Sequence, residues 1–288
     1  MLPLPENPQN IADLPDQIRV SVGTAIVLGL LEGKLNVAPT TAYLMTYLDG
    51  KCTANCSFCS QARASKSSTQ VLSRVTWPTF PTAEALTALV TSVENLKIGR
   101  VCIQALNYPD VFEHLEVLVK EIKKRSTVAV SVSCQPQNRE NIQRLKLAGV
   151  DRLGIALDGA THAVFDMVKG AKVGGCYNWK NQFQLLTAAL TVFGNGNAST
   201  HVIVGLGESE KDVAEIIQRC VDLGVLPALF AFTPVRGTAM EANAPPKVEI
   251  YRRVQLARYL IVNRKTTVEH MGFDENGQIT HFGYPKTP

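Results

Sequence analysis

The most chemically loaded stretch of the chain is Lys51-Cys52-Thr53-Ala54-Asn55-Cys56-Ser57-Phe58-Cys59, a C-x3-C-x2-C spacing. Three thiols this close on one loop cannot pair off cleanly as disulfides. A closed tetrahedral zinc site normally adds a fourth Cys or His, usually from a second C-x2-C knuckle, and no such knuckle occurs in the sequence. Three thiolates can instead hold three irons of a 4Fe–4S cube and leave the fourth iron open to an outside ligand. A zinc or purely structural loop is the alternative reading of the same residues.

The elements around this loop set where it must sit. Strand-like segments rich in β-branched residues or bounded by turn signals fall at 41–48, 100–106, 127–133, 152–158, 200–206 and 228–235. Helical patterns occupy 83–96, 111–124, 139–147, 181–193, 211–223 and 248–262. Gly149 and Gly224 follow two of these helices and suit left-handed caps. Repeated β-then-α units imply a parallel sheet with right-handed crossovers, either a partial barrel or a doubly wound sheet. The cysteine loop comes directly after the first strand. Residues 1–39 read as a leader with an amphipathic helix over 17–33, and 40–288 as one domain with a C-terminal extension.

Alternation predicts which side chains look inward. Val101, Ile103 and Ala105 share one face of their strand, with Cys102 and Gln104 on the other; Leu153, Ile155 and Leu157 oppose Gly154, Ala156 and Asp158. Helices outside the sheet would cover the apolar sets. The small and polar sets would then line a ligand-filled interior, since a sealed barrel core wants bulky branched residues there.

Composition narrows the class. Of 288 residues 45% are hydrophobic and 19% charged, which excludes disorder. The 29 basic and 25 acidic residues are scattered, without the basic run of a nucleic-acid binder. Seven cysteines is an odd count, unlike an evenly paired secreted scaffold. The start, MLPLPENPQNIADLPDQ, lacks the charged and apolar regions of a signal peptide, and no apolar run of ~18 residues occurs. A reduced, cytoplasmic protein with no membrane span is expected.

The cysteine loop, with its aromatic Phe58 just before Cys59, resembles the motif of the radical S-adenosylmethionine enzymes. That resemblance implies a partial (β/α)6 TIM-type barrel, the radical SAM fold, in which Cys52, Cys56 and Cys59 hold the cluster. S-adenosylmethionine would chelate the fourth iron, with Phe58 packed by the adenine. One electron from the cluster would cleave the sulfonium, giving a 5′-deoxyadenosyl radical able to take hydrogen from an unactivated carbon. Val202-Ile203-Val204-Gly205-Leu206-Gly207-Glu208 resembles the family's fifth-strand motif near the adenine, which makes Gly205, Gly207 and Glu208 cofactor-site candidates. An ordinary Gly-rich turn is the plain alternative. Asp158 would suit a ribose hydroxyl or the sulfonium, or else be a helix N-cap. Lys169 lies where relatives hold the cofactor's carboxylate. Arg236 either meets a carboxylate or the adenosine, or is a solvated turn residue, and inward-facing His201 is either a satisfied core histidine or a functional one.

Within the superfamily the chain resembles the biotin synthase group, whose members carry an auxiliary iron–sulfur cluster in the barrel. The resemblance makes Cys102 and Cys134 auxiliary ligands, although strict alternation puts Cys134 with Val128, Val130 and Val132, so a bulge would be needed. Where the family has a third cysteine this chain has Ser199, and Cys176 is the available substitute. No arginine stands where the family's fourth ligand is expected, leaving Glu269 or His270. Cys220 shares helical spacing with Val213, Ile216 and Ile217 and reads as core.

The segments around Pro39-Thr40-Thr41, Cys102-Ile103-Gln104 and Pro234-Val235-Arg236 are similar to the two-component lipoyl synthases. That likeness implies sulfur insertion into an octanoyl-lysine group. Expected partners are a paralogous radical SAM subunit, an octanoylated lipoyl carrier protein and a reducing protein such as ferredoxin or flavodoxin. Biotin synthase itself is the alternative, but Ala156 stands where its ring-holding asparagine is expected. A carbon-skeleton rearrangement on the same fold is a further alternative, and a catalytically silent cluster-binding subunit is one from a different class.

Overall fold

The computed structural model describes residues 14–284. It opens with strand β1 (Gln17–Val20), a short helix α1 (Val22–Val27) and strand β2 (Thr41–Thr46). A small hairpin of β3 (Val71–Leu72) and β4 (Val75–Thr76) precedes β5 (Thr79–Pro81) and α2 (Thr82–Glu94). Then follow β6 (Arg100–Gln104), α3 (Val111–Arg125), β7 (Ala129–Ser133), α4 (Arg139–Ala148), β8 (Arg152–Gly154), α5 (His162–Val168) and α6 (Trp179–Phe193). The chain closes with β9 (Ala198–Val204), α7 (Glu210–Leu223), β10 (Leu226–Ala231), α8 (Val248–Val262) and a hairpin of β11 (Gly272–Phe273) and β12 (Ile279–His281).

The main sheet runs β10-β9-β8-β7-β6-β2-β1-β5. Every neighbouring pair from β2 to β10 is parallel, and at least one helix lies between each parallel strand and the next, α2 coming after the intervening β3, β4 and β5. This is the expected partial (β/α)6 barrel. Its two ends do not meet: β10 and β5 are edge strands.

The leader departs from expectation. Residues 17–20 are not helical but form β1, antiparallel to β2 and to β5, and only Val22–Val27 is helix. Ile18, Arg19 and Val20 are all buried, so the segment is covered on both faces and lacks the alternation that marks a half-exposed strand. The part of the leader before residue 14 lies outside the described residues.

Both glycine caps form as read. Gly149 (φ +107°) and Gly224 (φ +85°) end α4 and α7 in the left-handed region, where a side chain would be strained. At its other end α7 has a reciprocal box between Ser209 and Asp212.

Burial follows the predicted alternation. Val101, Ile103, Leu153, Ile155 and Leu157 are fully buried in the core shared with the helices. Each such side chain stabilises the fold by about 1.5–3 kcal/mol. The other face carries one register row of Tyr43, Cys102 and Ser131, and the next of Met45, Gln104, Ser133, Gly154 and Ser199. A Cβ on Gly154 would come within 3.2 Å of Ser199 Oγ and 3.4 Å of Ser133 Oγ, so small groups meet there. From Cys102 to Ser199 this inner face is mostly small and polar.

Candidate active site

The cysteine loop follows β2, at the end of the barrel where the parallel strands stop. Cys52 is buried, Cys56 and Cys59 are half-buried, and all three are free thiols. Backbone amides are aimed at the sulfurs: Asn107 N–H donates to Cys52 Sγ at 3.1 Å, and the amides of Gln61 and Ala62 reach Cys59. Burial raises all three thiols above their ordinary range, Cys59 to about 11, and the sulfurs raise one another further. Such thiols stay protonated until a metal displaces the proton. Among the described residues no three His, Cys, Asp or Glu side chains converge on a point that would hold a single metal ion.

Two other segments fix the loop. Thr53 N–H donates to Asn107 O at 2.9 Å, which ties the loop to the segment after β6, and Cys52 N–H donates to Gln61 O, also at 2.9 Å, closing the loop on itself. On the opposite side Ser57 N–H donates to Val168 O, Asn55 Nδ2 to Val173 O and Arg63 to Gly174 O. Asn107 Nδ2 also donates to the hydroxyl of Tyr177 at 2.5 Å, so Asn107 touches both anchors. Nothing in the cysteine spacing announced Asn107 or Tyr177. The Asn-Tyr-Pro turn after β6 was the available signal.

Beside Cys56 lies a buried ion pair. Lys169, 1% exposed, donates from Nζ to Asp158 Oδ2 at 2.7 Å and to Ala156 O at 2.8 Å, under the Tyr177 ring. Asp158 is not a helix cap, because Thr161 fills that position for α5. It takes φ +63° instead and pairs its backbone with β9, with Asp158 N–H donating to His201 O and Ile203 N–H to Asp158 O. A non-glycine residue in this region is uncommon, and aspartate tolerates it better than most. The strain is held by the surrounding pairing.

The β9 turn lies against the same loop. Phe58 joins Leu206, Ile203, Val164, Val168, Phe232 and Met240 in a small apolar cluster of its own. Gly205 (φ +103°) and Gly207 (φ +120°) both need glycine's freedom. Glu208 accepts from Gly205 N–H at 2.6 Å and Leu206 N–H at 3.0 Å, so its carboxylate braces the turn. His201 faces the interior with its ring against Phe230, and burial lowers its pKa. Arg236 is exposed near Lys66 and Ser67, where Lys66 N–H donates to Gly237 O at 2.7 Å and closes the far side of the loop.

The other candidate ligands are not brought together. Cys102 faces the interior and accepts from Gln104 Nε2 at 3.3 Å, with Arg100 nearby. Cys134 stays buried in the apolar core with Val128, Val130 and Val132; no bulge turns it inward. Cys176 is exposed and lies toward Cys52. Glu269 and His270 are exposed on a short turn packed against α7, where Val268 N–H donates to Gln218 Oε1, whereas Cys102 faces the barrel interior. Cys220 is core, as its spacing implied, and burial pushes its thiol up to about 12.

Residues 48–220 match the model of the radical SAM superfamily, more than half of the chain. The chain belongs to the radical SAM superfamily. It is 25% identical over 202 residues to the biotin synthase of Sulfurihydrogenibium sp. (strain YO3AOP1), covering 68% of this chain and 56% of that one. It is 26% identical over 230 residues to the biotin synthase of Aquifex aeolicus (strain VF5), covering 77% and 64%. The chain thus spans 56–64% of the length of these relatives. Among solved structures, methylornithine synthase superposes with a TM-score of 0.60 at 13% identity, covering 77% of this chain and 62% of that one. The FeFe-hydrogenase maturase HydG from Carboxydothermus hydrogenoformans superposes with a TM-score of 0.58 at 17% identity, covering 84% and 55%. These two show the fold. Among the described residues no helix of this radical SAM protein is long and apolar enough to cross a membrane.

Superfamily membership implies a 4Fe–4S cluster and S-adenosylmethionine. The residues present fit both. Three unpaired thiols stand on one loop with amides directed at two of the sulfurs, the hydrogen bonding that iron–sulfur thiolates use. Next to them the Asp158–Lys169 pair sits between the loop and the β9 turn.

Proposed function

We propose that this radical SAM enzyme directs its radical at an unactivated C–H bond in the barrel interior, and that sulfur is inserted there, with an octanoyl-lysine group as substrate. When bound, the cluster and S-adenosylmethionine supply one-electron cleavage of the sulfonium and hence hydrogen abstraction. Cys52, Cys56 and Cys59 would hold the cluster. Lys169 holds Asp158 Oδ2 and so aims the carboxylate, leaving its Oδ1 free to accept from a ligand hydroxyl. Half-buried Phe58 offers an apolar surface for a base, and the glycines of the β9 turn let backbone approach it.

One observation carries the sulfur reading. The strand faces beneath the cysteine loop are lined by Ser133, Gly154 and Ser199 and lead down to an inward-facing Cys102. An auxiliary iron–sulfur cluster seated there, with Cys102 the one candidate thiol that faces it, would be the sulfur donor. The biotin synthase names among the relatives support the same chemistry. A reducing protein such as ferredoxin or flavodoxin would deliver the electron. A paralogous radical SAM subunit and an octanoylated lipoyl carrier protein are the proposed partners, and the cytoplasm the proposed compartment.

The test is anaerobic turnover of an octanoyl-lysine peptide with and without the paralogous subunit, with added sulfur detected by mass. Sulfur in the product supports the reading, and 5′-deoxyadenosine formed without sulfur transfer overturns it. The separation of Cys102, Cys134 and Cys176 favours a second reading, a carbon-skeleton rearrangement that needs no sulfur donor. Iron and sulfide counting separates the two: clearly more than about four irons per chain means a donor cluster, and about four means rearrangement.

A further inference from the structure

Two cations stand behind the cysteine loop with no carboxylate to answer them. Arg19 lies on β1 opposite Met45 and is 3% exposed. Its guanidinium donates to Gln61 Oε1 at 3.2 Å and to Thr69 O, lies 5.4 Å from the centre of the Tyr47 ring, and leaves Nε buried without a partner. Lys51 donates to Ser60 O at 2.7 Å and Ser67 O at 2.6 Å. Ser60 and Gln61 directly follow Cys59, and the Gln61 amide is one of those directed at its sulfur.

The surrounding sequence is one-sided in charge. Between Asp49 and Glu84, residues 50–83 hold Lys51, Arg63, Lys66 and Arg74 and no acid, although the chain as a whole is nearly balanced. Among the described residues neither Arg19 nor Lys51 takes part in an ion pair. Carbonyl oxygens hold both cations in place but do not neutralise them. Arg19 is a buried charge without a counter-charge, which is costly, and the half-buried Lys51 adds a second positive charge beside the loop, so this corner of the protein favours an anion. Three thiolates carrying a cluster would supply it, and the reduced cluster carries one negative charge more than the oxidised.

We propose that Arg19 and Lys51 are the counter-charges of the cluster held by Cys52, Cys56 and Cys59, and that they raise its reduction potential. They act as positioning residues: neither touches the reacting atoms. The step they favour is the uptake of one electron from an external reductant, with no bond made or broken. A fixed positive charge close by favours the more negative state, the more so in a low-dielectric setting. This inference rests on the cluster assignment and not on the identity of the substrate.

The test is a redox titration of the anaerobically reconstituted full chain, poised with dithionite and mediators and read from the EPR signal of the reduced cluster. Lys51→Gln and Arg19→Gln should each lower the reduced-to-oxidised ratio at fixed poise about tenfold, which is about 59 mV for one electron. Lys51→Arg, which keeps the charge, should hold the parent midpoint. An unshifted midpoint in Lys51→Gln carrying its full iron overturns the proposal, and so does an equal shift in Lys51→Arg, since lysine geometry alone would then matter. If Arg19→Gln, at a buried position, fails to load iron, the two Lys51 variants decide. Failure of the parent chain to bind iron would instead remove the cluster assignment, so the two failures are told apart.

Discussion

The molecule holds two trios of cysteines, and they were brought to very different ends. Cys52, Cys56 and Cys59 share one short loop, anchored on both sides by backbone hydrogen bonds to Asn107 and Val168. Cys102, Cys134 and Cys176 come from separate elements and point three ways: inward, into the apolar core, and to solvent. Local spacing fixes the first trio whatever the rest of the fold does. The second depends on strand parity and loop path, and a shift of one residue turns a side chain to the other face.

The largest effect should come from breaking the first trio. Cys56→Ala should reduce 5′-deoxyadenosine formation to background, whereas Cys134→Ala should leave it at the parent rate; product analysis by chromatography reads both. Parent activity in Cys56→Ala would erase the distinction between the trios.

Next in size is the ion pair beside them. Lys169→Met leaves Asp158 buried without its partner and should cost about 3–5 kcal/mol in chemical denaturation. A loss below about 1 kcal/mol would mean that Asp158 reaches water freely.

The second trio can be sharpened by substituting one atom. Cys134→Ser places a hydroxyl among valines and should cost about 1–3 kcal/mol, while Cys102→Ser, facing a polar interior, should cost less. Under the sulfur-donor reading Cys102→Ser also loses the iron above about four per chain, and Cys134→Ser keeps it. Equal stability losses would show that the two cysteines share one kind of surrounding.

The smallest effect concerns the turn that faces the first trio. Burial raises the Glu208 carboxyl above its ordinary range, so the folded chain holds that proton more tightly than the unfolded one. Its contribution is therefore fully present below the unfolded value and is lost as pH rises through the folded value. Glu208→Gln should flatten that slope in a stability-against-pH series, at a cost of about 0.5–1.5 kcal/mol for the weakened hydrogen bonding.

The alternation of strands and helices was legible in the residues, while the choice of a partial barrel over a doubly wound sheet came from the family resemblance. Each parallel strand and its following helix fell within a few positions of the expected limits, because period-2 and period-3.6 patterns are local signals. The short helix α5 was missed, since seven residues after Gly159-Ala160-Thr161 carry too little periodicity to read. Strand β1 was misread as helix because what makes it a strand is pairing with β2 and β5, which are distant in sequence. In the site, the thiols announced themselves by type and spacing. Asp158 was singled out but its backbone strain was not, and Arg19 was passed over, because both depend on neighbours that the fold supplies from elsewhere. Glu269 and His270 were chosen by their place in a related pattern, and here that segment folds against α7.

The sheet's two free margins have a further meaning for anything that must get inside. A cylinder stitched all the way round admits only what can thread its mouth. This one is unsewn between β10 and β5, with Phe230 half uncovered on the inner wall beside the slit. A long, thin cargo still fastened to a carrier could therefore be laid in from the flank, with no need for its free end to enter first.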